Sequence, residues 1–185
     1  MAETKLPQPV KFFIAALFSK SEVLSDALVI VKGLWGDLDF QSNDYPFDVT
    51  DYYVSEMGEG IYRRIFTLEK LYSPTLLVEM KLKCNSIEND LAYELKRSVN
   101  LDAGYLDHNK IVLASAKEAG QKVYLDKGIY ADLAGRYKAG KYQSFEWSFP
   151  DFKDGRYDND LLLIRKKYLK QLKTWRDEQS AVSVR

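Results

Sequence analysis

Between Val10 and Phe18 every position except Lys11 is apolar, and a run of this length predicts a strand covered on both faces and central in its sheet. Ser21 then stands as a cap before Val23, Leu24, Ala27, Leu28, Val31, Leu34 and Trp35, whose 3.6-residue spacing predicts an amphipathic helix ended by Gly33 or Gly36. Residues 37–47 turn strand-like but are broken by Ser42-Asn43-Asp44 and Pro46, residues 48–60 read as a polar loop, and 61–68 alternate as a strand. Ser73-Pro74 marks a second helix entry, with Leu77, Met80, Cys84, Ile87, Leu91 and Leu95 on one stripe. The apolar stretch 111–116 fits helix or strand, and Asp107 or Asn109 as a cap tips the expectation to a short helix. Residues 121–126, 128–137 and 141–147 read as three strands joined by Lys127-Gly128 and Ala139-Gly140 turns, and a last helix over about 157–175 presents Leu161, Ile164, Arg165, Tyr168, Leu169, Leu172 and Trp175 on one side.

This order predicts an α+β fold: an antiparallel or mixed sheet with a ferredoxin-like (split βαβ) core, an extra C-terminal β-meander and a closing C-terminal helix. One globular domain is expected over 10–176, between a flexible lead-in at 1–9 and a flexible tail at 177–185.

Composition narrows the class. With 46% hydrophobic and 14% aromatic residues in 185, the chain is too apolar for disorder. Its 27 basic and 27 acidic residues cancel, so no nucleic-acid partner held by net charge is expected. The single cysteine, Cys84, excludes an intramolecular disulfide and a multi-thiolate metal site; its place on the apolar stripe makes it a packing thiol. The longest apolar run is too short to span a membrane and no cleavage site follows it, so the expected location is the cytoplasm, with no membrane partner.

No phosphate-binding glycine loop and no dinucleotide fingerprint occurs. Ser115-Ala116-Lys117 and Asn109-Lys110 mimic guanine-binding fragments, but Val112 stands where an aspartate is needed. His108, the only histidine, sits in a polar turn and is expected to be an exposed residue at a helix start. More informative is the segment 50–58, which places Tyr52, Tyr53, Asp51 and Glu56 just before Arg63 and Arg64; on a strand these arginines face opposite ways, so one of them can enter a site. On the next helix Lys81, Asn85 and Glu88 form a polar row at i, i+4 and i+7.

The strings TDYYVSEMG (50–58), KLKCNSIE (81–88), VNLDAGYL (99–106), KIVLASAK (110–117), VYLDKGIYADL (123–133) and WSFPDF (147–152), in this order, resemble an uncharacterised bacterial family, the domain of unknown function numbered 4416, over roughly 9–175. The resemblance implies a bacterial protein with no established activity. The family pattern favours proline at Ala103, threonine near Ser115, a His-Arg pair at Gln121-Lys122 and tyrosine at Phe149 and Phe152, so a mechanism centred on that histidine does not transfer to this chain.

The matching positions supply Tyr52, Tyr53, Glu56, Arg63 or Arg64, Lys81, Asn85, Glu88, Asn100, Asp102, Tyr105, Lys117 and Tyr130, a set suited to a small anionic or polar ligand. The leading expectation is a cleft over the sheet that binds, or acts on, an anionic metabolite or nucleotide, with part of the charge balance facing across it. The alternative is a non-catalytic interaction module, a homodimer built on Tyr124, Tyr130, Tyr137, Tyr142 and Trp147 of the meander. The residues specify no cofactor, no metal ligand set and no reaction, and they leave monomer and homodimer open.

Overall fold

The computed structural model describes residues 3–94 and 96–183. Strand β1 (Lys11–Phe18) leads into helix α1 (Ser21–Trp35); β2 (Leu38–Gln41) and the short β3 (Tyr45–Pro46) precede a single helical turn, α2 (Val54–Met57). Then follow β4 (Tyr62–Leu68), α3 (Leu76–Asp90), β5 (Val99–Leu106), β6 (Lys110–Ser115), β7 (Val123–Asp126), β8 (Ile129–Lys138), β9 (Lys141–Ser144), the turn-length α4 (Pro150–Lys153) and the long α5 (Asp158–Ser183).

The nine strands form one sheet in the order β2-β4-β1-β5-β6-β8-β7, with β3 on β4 and β9 on β8, and every pairing is antiparallel. β1 is an inner strand, third on this path between β4 and β5, and is fully buried, as its apolar run requires. Its alternate residues serve two cores. Phe12, Ile14, Ala16 and Phe18 pack with Leu24, Ala27 and Val31 of α1 and Leu77, Met80 and Cys84 of α3, whereas Phe13 and Ala15 pack with Ile164, Tyr168 and Leu172 of α5. Each of the larger side chains contributes about 2 kcal/mol by leaving water, which is why the apolar run from Phe12 to Phe18 fixes the strand inside the sheet. A third cluster, Leu17, Met57 and Ile61 with Phe47 and Tyr53 against it, seats α2 at one end of the sheet. Cys84 is buried in the first core, and burial pushes its thiol up to about 12.

Two turns follow the chemistry read from the sequence. Lys127-Gly128 and Ala139-Gly140 have positive φ at both positions, the geometry of a two-residue hairpin turn whose twist matches the strands it joins.

Other elements differ from expectation. Residues 111–116 are not helical: Lys110–Ser115 is strand β6. Asp107 Oδ1 accepts the backbone N–H groups of Asn109 and Lys110 at 2.7 and 2.8 Å, so the carboxylate that looked like a helix cap closes a hairpin instead, and β-branched Ile111 and Val112 continue as strand. His108 therefore lies on a hairpin turn, half-buried, with its carbonyl accepting from Arg165 at 3.3 Å. Ser21 is the first helical residue and makes no cap bond. Helix α5 runs on to Ser183, through residues read as a tail, because no glycine or proline interrupts 156–183 after the buried stripe ends. Leu95, expected on the α3 stripe, lies outside the described residues.

Candidate functional site

The sheet forks. β5 and β6 pair from Leu106 and Ile111 to Gly104 and Leu113, where their pairing ends. Beyond that point β5 stays with β1 as far as Val99, and β6 stays with β8 as far as Ser115. Gly104 sits at the vertex because nothing larger fits: a Cβ there would lie 2.7 Å from the Phe13 ring and 2.7 Å from the Val112 carbonyl.

A strand edge released from its neighbour leaves amide and carbonyl groups that need partners. Helix α3 supplies them. Glu88 Oε1 accepts the Leu101 N–H at 2.7 Å, and Lys81 Nζ donates to the Leu101 carbonyl at 3.1 Å. Lys81 also stands 3.9 Å from both Glu88 Oε1 and Asp102 Oδ1. Burial raises the Glu88 pKa, a shift held in check by Lys81, the Leu101 amide and Arg97. Burial opposes charge on Asp102 too, yet Lys81 and Arg63 outweigh it and hold this carboxyl below its usual range.

Arg97 ties the fork to the α2 segment. Its Nε and Nη2 donate to the two Glu56 oxygens at 2.5 and 2.8 Å, and its Nη1 donates to Glu88 at 2.6 Å and to Asn100 Oδ1 at 3.3 Å. The bidentate bond lowers the Glu56 pKa. Beneath Asp102 lies Arg63, fully buried, with Nη1 donating to the Ala15 carbonyl at 3.0 Å and to Asp102 at 3.2 Å, and Nε 2.7 Å from Asp151 of α4. Burial works against the Arg63 charge, but Asp151 and Asp102 more than compensate. Removing either side of such an arrangement leaves a buried charge alone, at a cost of about 3–5 kcal/mol.

The opposite prong carries Lys122 and Asp132. Lys122 Nζ donates to Ser115 Oγ at 2.9 Å and to the Lys117 carbonyl at 3.2 Å, and lies 3.7 Å from Asp132 Oδ2. Burial raises the Asp132 pKa, partly offset by Lys122. At the mouth, Lys117 Nζ donates to the Tyr52 phenol at 3.0 Å, which lowers the pKa of that phenol. Tyr52 meets Tyr53 edge-on at 4.9 Å.

Together these groups enclose a cavity of about 660 Å³, within the size of sites that take small molecules. Its wall carries four carboxylates (Glu56, Glu88, Asp102, Asp132) and four cations (Lys81, Arg97, Lys117, Lys122) drawn from helices α2 and α3, strands β5 and β8 and the connecting segments beside them. Among the described residues no group of three His, Cys, Asp or Glu side chains is placed to hold a metal ion, and no helix is long and apolar enough to cross a membrane.

Of the residues singled out in the sequence, Tyr52, Tyr53, Glu56, Lys81, Asn85, Glu88, Asn100, Asp102 and Lys117 line this cavity. Arg63 lies under it, bonded to Asp102. Arg64 points elsewhere and pairs with Asp44. Tyr105 packs on Phe12 in the α1/α3 core, and Tyr130 packs on Tyr124 at the sheet edge. Sequence reasoning did not select Arg97, Lys122, Asp132 or Phe149. The last two lie within family-like motifs and Lys122 at a position where the pattern favours arginine, whereas Arg97 falls between motifs and carried no signal.

A family model described as domain of unknown function (DUF4416) matches residues 8–168 of the 185. The chain belongs to this family. Every residue lining the cavity falls inside the matched span. No curated protein and no solved structure matches the chain.

Proposed function

We propose that this DUF4416 protein binds a small anionic metabolite, a nucleotide included, in the forked cleft between β5 and β6. The observation that carries the reading is the convergence of Glu56, Lys81, Asp102 and Lys117 from four distant segments on one cavity. Keeping two strands of a sheet apart, and spending Lys81 and Glu88 on one backbone unit to do so, serves packing poorly and a ligand well. The strand order β2-β4-β1-β5 with α1 and α3 on one face supports a ferredoxin-like core for a single domain over 10–176, and the lone buried thiol suits a cytoplasmic protein. A thermal-shift screen against nucleotides, phosphorylated metabolites and carboxylates tests the reading, since a ligand that binds the native state alone must raise the melting temperature.

A homodimer is the second reading, favoured by strand β7, which ends the sheet with all four residues exposed, Val123, Tyr124 and Leu125 among them. Tyr142 of the meander turns into the molecule's own core, and Tyr137 packs against that core, which leaves β7 and the exposed Trp147 for this surface. Light scattering that gives a monomer removes it.

A further inference from the structure

Three groups of the cavity stand out from the ion-paired set: Lys117, Asp132 and Asn100, whose buried Nδ2 donates to no described residue. Arg97 answers Glu56 and Glu88, Lys81 lies between Glu88 and Asp102, and Arg63 joins Asp102 to Asp151. Lys117, by contrast, has a phenol as its partner, with no carboxylate at ion-pair distance among the described residues. Asp132 is 8% exposed and its Oδ2 faces Lys122, while its Oδ1 accepts a hydrogen bond from no described residue. A buried polar atom without a partner is costly, so the wall presents one acceptor without a donor (Asp132 Oδ1), one donor without an acceptor (Asn100 Nδ2) and, at the rim, an exposed lysine paired with no described carboxylate.

The neighbours of Asp132 decide what kind of donor fits. Lys122 already places an ammonium 3.7 Å from its carboxylate, so a second ammonium brought by a ligand would meet like charge at close range. A hydroxyl donates the same hydrogen bond without that repulsion. Tyr52, Tyr53 and Phe149 add ring surface at the cavity wall for the C–H faces of a polyol. At the rim, exposed Lys117 suits a dianionic phosphate as a point-charge partner, and Lys122, bonded to the Lys117 carbonyl, adds positive charge nearby.

Resting on the binding reading above, we propose that the ligand is a hydroxyl-bearing phosphate monoester, with a hydroxyl donating to Asp132 Oδ1 and the phosphate at Lys117. A free sugar phosphate and the ribose phosphate of a nucleotide share this chemistry.

Calorimetric titration with glycerol phosphate and n-propyl phosphate, which differ only in two hydroxyls, tests the assignment. The wild-type protein binds glycerol phosphate about tenfold or more tightly than propyl phosphate, the ratio a hydrogen bond to a charged acceptor supplies. Asp132→Asn replaces the charged acceptor with a neutral amide, so the ligand hydroxyl loses its charge-assisted hydrogen bond and that ratio shrinks several-fold. Lys117→Ala, at an exposed position, weakens both esters by a common factor and keeps the ratio. Hexose and nucleoside monophosphate arms tell a free sugar from a ribose bearing a base. Equal binding of the two esters, or a ratio indifferent to Asp132→Asn in a variant with unchanged melting temperature, overturns the proposal. If no phosphate ester binds while a carboxylate from the wider screen does, this assignment fails and the cleft remains a binding site; if nothing in either set binds, both fail.

Discussion

Glu88 occupies the place of a missing strand: its Oε1 takes the Leu101 N–H at 2.7 Å, where the sheet ladder has parted. The same carboxylate accepts from Arg97 through its other oxygen, so one buried side chain holds both the edge of β5 and the anchor of the α2 segment. Glu88→Ala strips a donor and a cation of their partner at once and is expected to destabilise the protein by about 3 kcal/mol. Glu88→Gln keeps an acceptor for Leu101 and costs less. Urea unfolding gives the magnitudes, and hydrogen exchange at the Leu101 amide, slow in the wild type and fast in Glu88→Ala, reports the local bond.

The vertex of the fork gives a second test. Gly104→Ala drives a methyl group to 2.7 Å from the Phe13 ring and the Val112 carbonyl and 2.9 Å from Leu113, so it is expected to cost about 1–3 kcal/mol. Gly120→Ala meets open space and no backbone strain and stays within about 0.5 kcal/mol of the wild type. Equal effects of the two substitutions in denaturant would contradict the close packing at the vertex.

Acid sensitivity follows from the same charges. Glu56 and Asp102 have pKa values lowered in the fold, so the stability they bring is present above the unfolded carboxylate range, about 4, and is lost as pH falls through their folded values. Glu88 and Asp132, whose pKa values are raised, act with the opposite sign: the fold retains their protons longer, and stability falls as pH rises from the unfolded value toward the folded one. Glu56→Gln is therefore expected to lower stability at neutral pH and to flatten the loss below about pH 4, read as melting temperature across a pH series. A series parallel to that of the wild type would contradict the Arg97 clamp.

Much of the architecture was legible because it rests on local rules. The apolar run from Val10 to Phe18 placed β1 inside the sheet with both faces covered, and the Gly128 and Gly140 turns set two hairpins. Residues 111–116 were misread because Asp107 satisfies cap and hairpin chemistry alike, and the choice between them is made by β5 and β8 on either side. The same limit applies to the cleft. Its charged residues could be picked out by type, but the forking of β5 from β6 is a long-range relationship, fixed by Gly104 packing on Phe13, that no periodicity announces. Arg97 illustrates the point, since its ion-pair partners, Glu56 and Glu88, stand 41 and 9 residues away.

The most direct test of a ligand-binding cleft is calorimetry with a panel of sugar phosphates, nucleotides and carboxylates on the wild type and on Ala116→Trp, an exposed rim position at which an indole fills the cavity mouth. Saturable binding to the wild type that disappears in Ala116→Trp, with the melting temperature of the free protein unchanged, is the predicted result. Binding that survives the substitution, or a wild-type protein that takes none of the panel, contradicts the account.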